Sequence, residues 1–262
     1  MPFEPFTICG DPLSSSPLVL TCEHASNLVP PPLSASEADR VWLETHWGWD
    51  PGAAALTRGL VAALGATAIL AEFSRLACDP NRPPDHPTWA RTELVENGQR
   101  HVVSFNADLD PVERERRRTE LFEGYHGAIH SLLSRRKEAG LASALFSVHS
   151  FTPALDGTPR QMEVGVLFDR EEDAAERLAQ LLKERGFLVA LNEPYSGRAG
   201  LMYSVDRHAR AHAIPCLEIE VRQDLLDAPS NISRVASYVA HALQKLGWTP
   251  RGRPITYRAL PD

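Results

Sequence analysis

The sequence predicts an α/β protein in a single domain over residues 1–262, with a mainly parallel sheet covered by helices on both faces. Three observations predict it. Apolar runs of strand length recur at Leu18–His24, Ala142–His149 and Cys216–Arg222, and near-continuous apolar character marks strands buried on both faces. Amphipathic segments lie between such runs, as where Leu121, Tyr125, Ile129, Leu132 and Leu133 repeat at helical spacing. Strands and helices then alternate along the chain, the order that builds a covered parallel sheet. A chain of 262 residues can bury a sizeable core, and no repeat, low-complexity tract or linker divides it.

Residues 1–16, rich in Pro and Ser, are expected to lie over the surface. The first strand climbs to His24, and the chain breaks at Pro30-Pro-Pro32. Ser34–Thr45 reads as a short helix with Ser36 as its cap before Glu37 and Asp39. After His46-Trp-Gly-Trp-Asp50, Pro51 suits the first position of a helix over Gly52–Leu64 that ends at Gly65. Ala66–Ser74 is a strand. From Pro80 to Gln99 the proline density predicts a long loop, of the kind that often carries function. A long helix over Pro111–Lys137 leads to the His149 strand and a loop through Pro153, Asp156 and Gly157. Glu163–Phe168 is a strand, Glu171–Arg185 a helix and Phe187–Leu191 a strand. The loop Asn192–Gly197, a helix over Ser204–His212, the Cys216–Arg222 strand and a last helix over Ser230–Leu246 complete the chain.

Composition narrows the function. A net charge of −7 disfavours a nucleic-acid partner, and the basic run Arg114-Glu-Arg-Arg-Arg118 reads as a solvated helix face. The four cysteines, Cys9, Cys22, Cys78 and Cys216, are far apart with no CxxC, which points to reduced thiols and a cytoplasmic protein. Cys22 and Cys216 lie inside strands and read as small core residues. No signal-like or membrane-length apolar run is present, so the protein reads as cytoplasmic with no membrane partner; the small-molecule partner expected is the one that the motifs below imply.

Two of the apolar runs end in a histidine. Ligands of open α/β sheets sit beyond the carboxyl ends of strands, and a catalytic zinc takes three protein ligands plus an open position. His24 and His149 are therefore the first two candidate ligands. Asp50 is the third, although a carboxylate before a helix also serves as a cap. Glu23, which should point to the opposite strand face from His24, and Asn27 and His46 remain alternatives. Glu218 and Glu220 share one strand face. Buried carboxylates need partners, and a glutamate beside an activated water can act as base. Glu220, nearer the strand end, is the candidate base and Glu218 its support, with an ion pair to Arg222 or another arginine as the competing reading. In Asp79-Pro-Asn-Arg-Pro83 the Asn81 amide and the Arg82 guanidinium stand together, suited to a carboxylate.

Cys22-Glu-His-Ala-Ser26, Ser74-Arg-Leu-Ala-Cys-Asp-Pro-Asn-Arg-Pro83, Val148-His-Ser-Phe151, Tyr195-Ser-Gly197 and Glu218-Ile-Glu-Val-Arg222 together resemble the N-formylglutamate amidohydrolase family, in order and spacing, over about Leu18–Leu246. The resemblance implies a three-layer α/β/α sandwich with a mixed, mostly parallel sheet, like that of the zinc carboxypeptidases and aspartoacylases. It places metal ligands at His24 and His149, a carboxylate-binding pair at Asn81 and Arg82, and the base at Glu220. The sequence departs at Asn27, where those relatives carry a glutamate ligand, and this departure directs attention to Asp50. The implied reaction is zinc-dependent hydrolysis of an N-acyl amino acid, N-formyl-L-glutamate giving formate and glutamate. Alternatives are a metallo-carboxypeptidase, an amidase on a longer acyl-amino acid, and a metal-free carboxylate-binding protein. Arg160 and Tyr195, on loops near the sheet edge, are further substrate-binding candidates, while His126 and His208, on helices, are expected to be structural or exposed.

Overall fold

The computed structural model describes residues 3–247, so the ends of the expected 1–262 domain lie outside the described residues. In chain order the elements are β1 (Phe6–Cys9), β2 (Leu18–Cys22), α1 (Glu37–Leu43), α2 (Ala53–Leu64), β3 (Thr67–Ala71), β4 (Glu93–Glu96), β5 (Gln99–Val102), α3 (Pro111–Arg117), α4 (Glu123–Glu138) and β6 (Ala144–Phe151). There follow β7 (Ala154–Leu155), β8 (Thr158–Pro159), β9 (Val164–Leu167), α5 (Glu172–Lys183), β10 (Val189–Leu191), α6 (Tyr203–His212), β11 (Cys216–Arg222) and α7 (Pro229–Leu246). Seven strands form one sheet in the order β1-β3-β2-β6-β11-β9-β10. The four central strands run parallel, while β1 lies antiparallel to β3 and β9 antiparallel to β11. The sheet is thus mixed and mostly parallel, with helices on both faces.

Strand direction follows from the connections. A parallel return needs a crossover, usually a helix. The chain passes from β6 to β9 through the β7–β8 hairpin with no helix between, and β9 runs back down the sheet. Helix α5 then separates β9 from β10, and those two are parallel.

The central strands sort their side chains by parity. On one face Leu18, Leu20 and Cys22, Ala144, Phe146 and Val148, and Leu217, Ile219 and Val221 pack with α2, α5 and α7 in one core. On the other, Val19, Leu145 and Cys216 begin a second core with Ile129, Leu132, Val205 and Ala209 of α4 and α6. That second face turns polar toward the carboxyl ends, at Thr21 and Glu23, Ser147 and His149, and Glu218 and Glu220, all buried. The register sets Thr21 opposite Ser147, and Glu218 and Glu220 opposite Ser147 and His149. One sheet face is a core along its whole length; the other is a core that ends in chemistry.

Several expectations are refined. Ser36 caps α1 in a reciprocal capping box with Asp39, a device worth about 1 kcal/mol, and Gly65 closes α2 at φ 56°. Pro51 precedes the cap, Gly52, and is outside the helix. Residues 1–16 do more than cover the surface: Phe6–Cys9 adds an edge strand. The buried Arg136 guanidinium ties the next stretch down by donating to the carbonyls of Pro12, Ser14 and Ser16. The Pro80–Gln99 loop ends early, where β4 and β5 form a hairpin. Its core, Leu43, Leu76, Leu94 and Val103, is separate from those of the sheet. The long helix holds a π turn at Arg118–Phe122, between α3 and α4.

Candidate active site

Strand β2 ends two residues before His24, and the His24 carbonyl accepts the Asp50 N–H at 2.9 Å, which brings the start of α2 against the strand end. The Asp50 carboxylate faces both candidate histidines: Oδ2 lies 3.3 Å from His24 Nδ1 and 2.7 Å from His149 Nδ1, and it also accepts the Ser150 N–H at 3.3 Å. The two rings meet edge-on with centroids 4.8 Å apart. One ligand atom from each of His24, Asp50 and His149 falls within 4.8 Å of the others, all three residues being buried. The alternatives stand elsewhere. Glu23 is behind His149, His46 lies farther along the cavity with Nε2 4.0 Å from Glu96, and Asn27 is neither in the cluster nor along the cavity.

The far nitrogen of each histidine meets a second carboxylate. His24 Nε2 lies 2.8 Å from Asp79 Oδ1, and His149 Nε2 lies 3.2 Å from Glu23 Oε2, with Glu218 Oε2 at 3.7 Å. Glu23 is anchored by the Ser147 hydroxyl, which donates to it at 2.6 Å. Metal-binding histidines are typically oriented in this way, the outer nitrogen on a carboxylate and the inner one turned to the ion. A second observation fits a cation: Glu218 Oε2 and Glu220 Oε2, on residues that line the cavity, are buried without hydrogen-bond partners. The donor set, two imidazoles and a carboxylate, suits zinc and several other divalent ions.

Charge is strongly coupled here. Burial pushes the Asp50 carboxyl up, but His24 and His149 outweigh it and hold the group well below the usual range. Asp79 is likewise held low against burial by Arg75, 3.0 Å away, and by His24. Burial raises Glu218 to about 7, opposed by His149 and aided by Glu23 and Asp50. Glu220 is raised well above the ordinary carboxylate range, chiefly by burial, with Asp50 and Glu218 adding to it and His149 opposing. Gly165 is paired with Glu220 across β9, and a side chain there would run into the Glu193 carbonyl and press on Glu220.

These groups open into a cavity of about 240 Å³, lined also by Arg75, Asn81, Arg82, Arg91, Trp47 and Tyr195. Asn81 is buried, and its amide is largely committed: Oδ1 accepts the Ser204 N–H at 2.9 Å and Nδ2 donates to Leu201 at 3.3 Å. Among the described residues the Arg82 guanidinium donates only to the Asn81 carbonyl, at 2.8 Å. Tyr195 reaches the cavity, whereas Arg160 stays behind it, with its guanidinium 5.7 Å from the Tyr195 ring and 5.5 Å from that of Phe151. Arg222, the competing partner for the strand glutamates, turns away to Asp224 at 2.8 Å. His126 and His208 are both buried and structural. His126 Nε2 lies 3.0 Å from the Pro80 carbonyl and its Nδ1 2.9 Å from His208 Nε2, which braces the loop from behind. Sequence reasoning missed Asp79, Arg75 and Arg91. Asp79 stood inside a quoted motif, with its turn-forming proline as the only signal, and nothing local distinguished Arg91.

The family model described as N-formylglutamate amidohydrolase matches residues 16–226. Among solved structures, the gene product Atu2144 of Agrobacterium tumefaciens is similar at 28% identity, with a TM-score of 0.84 over 93% of this chain and 95% of that one. The N-formylglutamate amidohydrolase of Ralstonia eutropha JMP134 shares the fold at 19% identity, with a TM-score of 0.74 over 96% of this chain and 100% of its own. No curated protein matches the sequence. Among the described residues no helix is long and apolar enough to cross a membrane.

Proposed function

The chain belongs to the N-formylglutamate amidohydrolase family, and on that premise we propose that it hydrolyses the amide of an N-acyl amino acid, N-formyl-L-glutamate, to formate and L-glutamate with the help of a divalent metal. One observation carries the reading: His24, Asp50 and His149 converge at a cavity that also receives Glu220 and Arg82. His24, Asp50 and His149 would hold the ion, zinc by the character of the donors, and it would supply a Lewis acid that acidifies water and polarises the acyl carbonyl.

The chain's own residues do the rest. Glu220, opposite His149 in the register, takes a proton from the attacking water and delivers it to the departing amine. Water oxygen adds to the formyl carbon, the C–N bond breaks, and the proton appears on the glutamate nitrogen. Glu218, on the same strand face, adds negative charge that keeps Glu220 basic once the site is filled. Arg82 takes the amino-acid carboxylate, and Asn81 fixes the loop that presents it. Asp79 and Glu23 orient the two histidines.

The test is formate release from N-formyl-L-glutamate, before and after chelation and with zinc restored. Turnover abolished by the chelator and recovered with zinc is expected. Turnover indifferent to chelation would remove the metal from the reading. Release from acetyl- or succinyl-amino acids alone would move the acyl group. No release from any of them would leave the carboxylate-binding alternative.

A further inference from the structure

Three guanidiniums line the cavity, and they are not equivalent. Arg75 is neutralised: it reaches Asp79 at 3.0 Å and Asp50 at 3.5 Å. Arg82 and Arg91 have no carboxylate within 4 Å among the described residues, although both are half-buried. The Arg91 side chain makes no hydrogen bond at all among the described residues. Its guanidinium carbon stands 5.3 Å from the centroid of the Trp47 ring, and that ring is locked by its own N–H donating to Glu96 at 2.9 Å. Glu96, which holds that ring, also lies 4.0 Å from His46 and makes no ion pair with Arg91; the acid whose charge reaches Arg91 is Asp79, itself already paired with Arg75 at 3.0 Å. A cation held over an indole keeps its planar donors free in the ring plane. Two guanidiniums in one small cavity, neither in contact with a carboxylate, repel each other and lose hydration, a cost relieved when a ligand brings two negative charges. One carboxylate accounts for Arg82. The other guanidinium is left over.

We infer that Arg91, seated on Trp47, is the residue that binds the side-chain carboxylate of the proposed N-formyl-L-glutamate substrate and sets its preference over the neutral amide. The inference rests on the hydrolase reading for its reaction but not for its binding chemistry. It gives the loop a division of labour: Arg82 takes the α-carboxylate found on every amino acid, and Arg91 takes the one that distinguishes glutamate from glutamine. Loss of a charge-assisted pair from a shielded site costs roughly 10- to 100-fold in affinity.

The experiment compares N-formyl-L-glutamate with N-formyl-L-glutamine on the metal-loaded enzyme and on Arg91→Gln and Arg91→Lys. The quantity read is the ratio of the two kcat/KM values, in which any general loss cancels. We expect the parent to favour glutamate by roughly 10- to 100-fold, Arg91→Gln to bring the ratio near one, and Arg91→Lys to restore part of it. A parent ratio near one, or a ratio that Arg91→Gln leaves unchanged, overturns the inference. Calorimetric binding of glutarate against butyrate reads the same site without turnover. If no N-acyl amino acid is hydrolysed but glutarate binds more tightly than butyrate and loses that advantage in Arg91→Gln, the hydrolase reading falls and the inference stands. Equal binding of glutarate and butyrate would sink it.

Discussion

The two sides of the cavity are held in place by different means. On one side His149, Glu218 and Glu220 are strand residues, positioned by a ladder in which each has a fixed partner: Glu218 opposite Ser147 and Glu220 opposite His149. On the other side Arg75, Asp79, Asn81, Arg82 and Arg91 ride on a loop, and separate bonds with no repeating ladder position them, as where the Asp79 N–H donates to the Trp89 carbonyl at 2.6 Å and the Ser204 N–H to the Asn81 amide oxygen at 2.9 Å. A strand residue can therefore lose its charge and keep its place, whereas a loop residue that loses its bond loses both. In the proposed function the strand side carries the chemistry, and the loop side carries recognition and the orientation of His24.

The largest effect should come from the strand side. Glu220→Gln keeps the volume and the register and removes the proton acceptor. kcat should fall by about 10²- to 10⁴-fold, the usual contribution of a positioned base, while bound metal measured by elemental analysis stays at the parent level. Loss of metal together with rate would mean that Glu220 belongs to the ion's ligands, and unaltered turnover would move the base elsewhere.

A smaller effect separates the two histidines. Asp79 meets His24 at 2.8 Å in an aligned bond from the loop side, while Glu23 stands 3.2 Å from His149 without alignment, on the strand side. Replacing such outer carboxylates weakens metal binding by roughly 10- to 100-fold. Asp79→Asn should lie toward the upper end of that range and Glu23→Gln toward the lower, as read by competition with a chromophoric chelator. The opposite order would show that the strand carboxylate, already anchored by Ser147, does more for the site than its alignment indicates.

The same contrast explains what the sequence disclosed. Cys216–Arg222 is legible to the residue because a strand advertises its own parity: Leu217, Ile219 and Val221 in the core, Glu218 and Glu220 across from it. The convergence of His24 and His149 is legible from another sign, that both close apolar runs; parity does not place His24, which lies past the end of β2. Strand direction was not legible, because it depends on whether a helix intervenes, and β9 turned back without one. The two small hairpins carried a signal that proline density obscured. Asn97-Gly98 and Asp156-Gly157 both adopt positive φ, 50° and 76°, then 46° and 75°, as two-residue hairpin turns of the Asn-Gly and Asp-Gly kind do. The second carboxylates and Arg91 had no local signature. Glu23 meets His149 only through the β2–β6 register, and Arg91 gains meaning only from the indole beneath it.

The predicted effect farthest from the chemistry lies behind the loop side, where His126 and His208 brace Pro80. With His126 Nε2 donating to the Pro80 carbonyl, its Nδ1 is left to accept from His208 Nε2, so His126 is neutral and has no nitrogen free for another proton while both bonds hold. Burial, then the charge of Arg207, lowers His126 to about 3; burial, then His126 and Arg207, lowers His208 to about 2. In the unfolded chain each would titrate near 6.5. Below that value the unfolded state takes up protons that the folded state refuses. The stability contributed by the pair is therefore complete above about pH 6.5 and drains away as the pH falls toward the folded values, at roughly 1.4 kcal/mol per pH unit for each group. His208→Gln can still donate to His126 Nδ1 but has no proton to gain, so its denaturation midpoint should fall less steeply than the parent's between about pH 6 and pH 4. Parallel curves would show that the imidazoles are hydrated in solution and that the loop is braced chiefly by Asn81 and the start of α6.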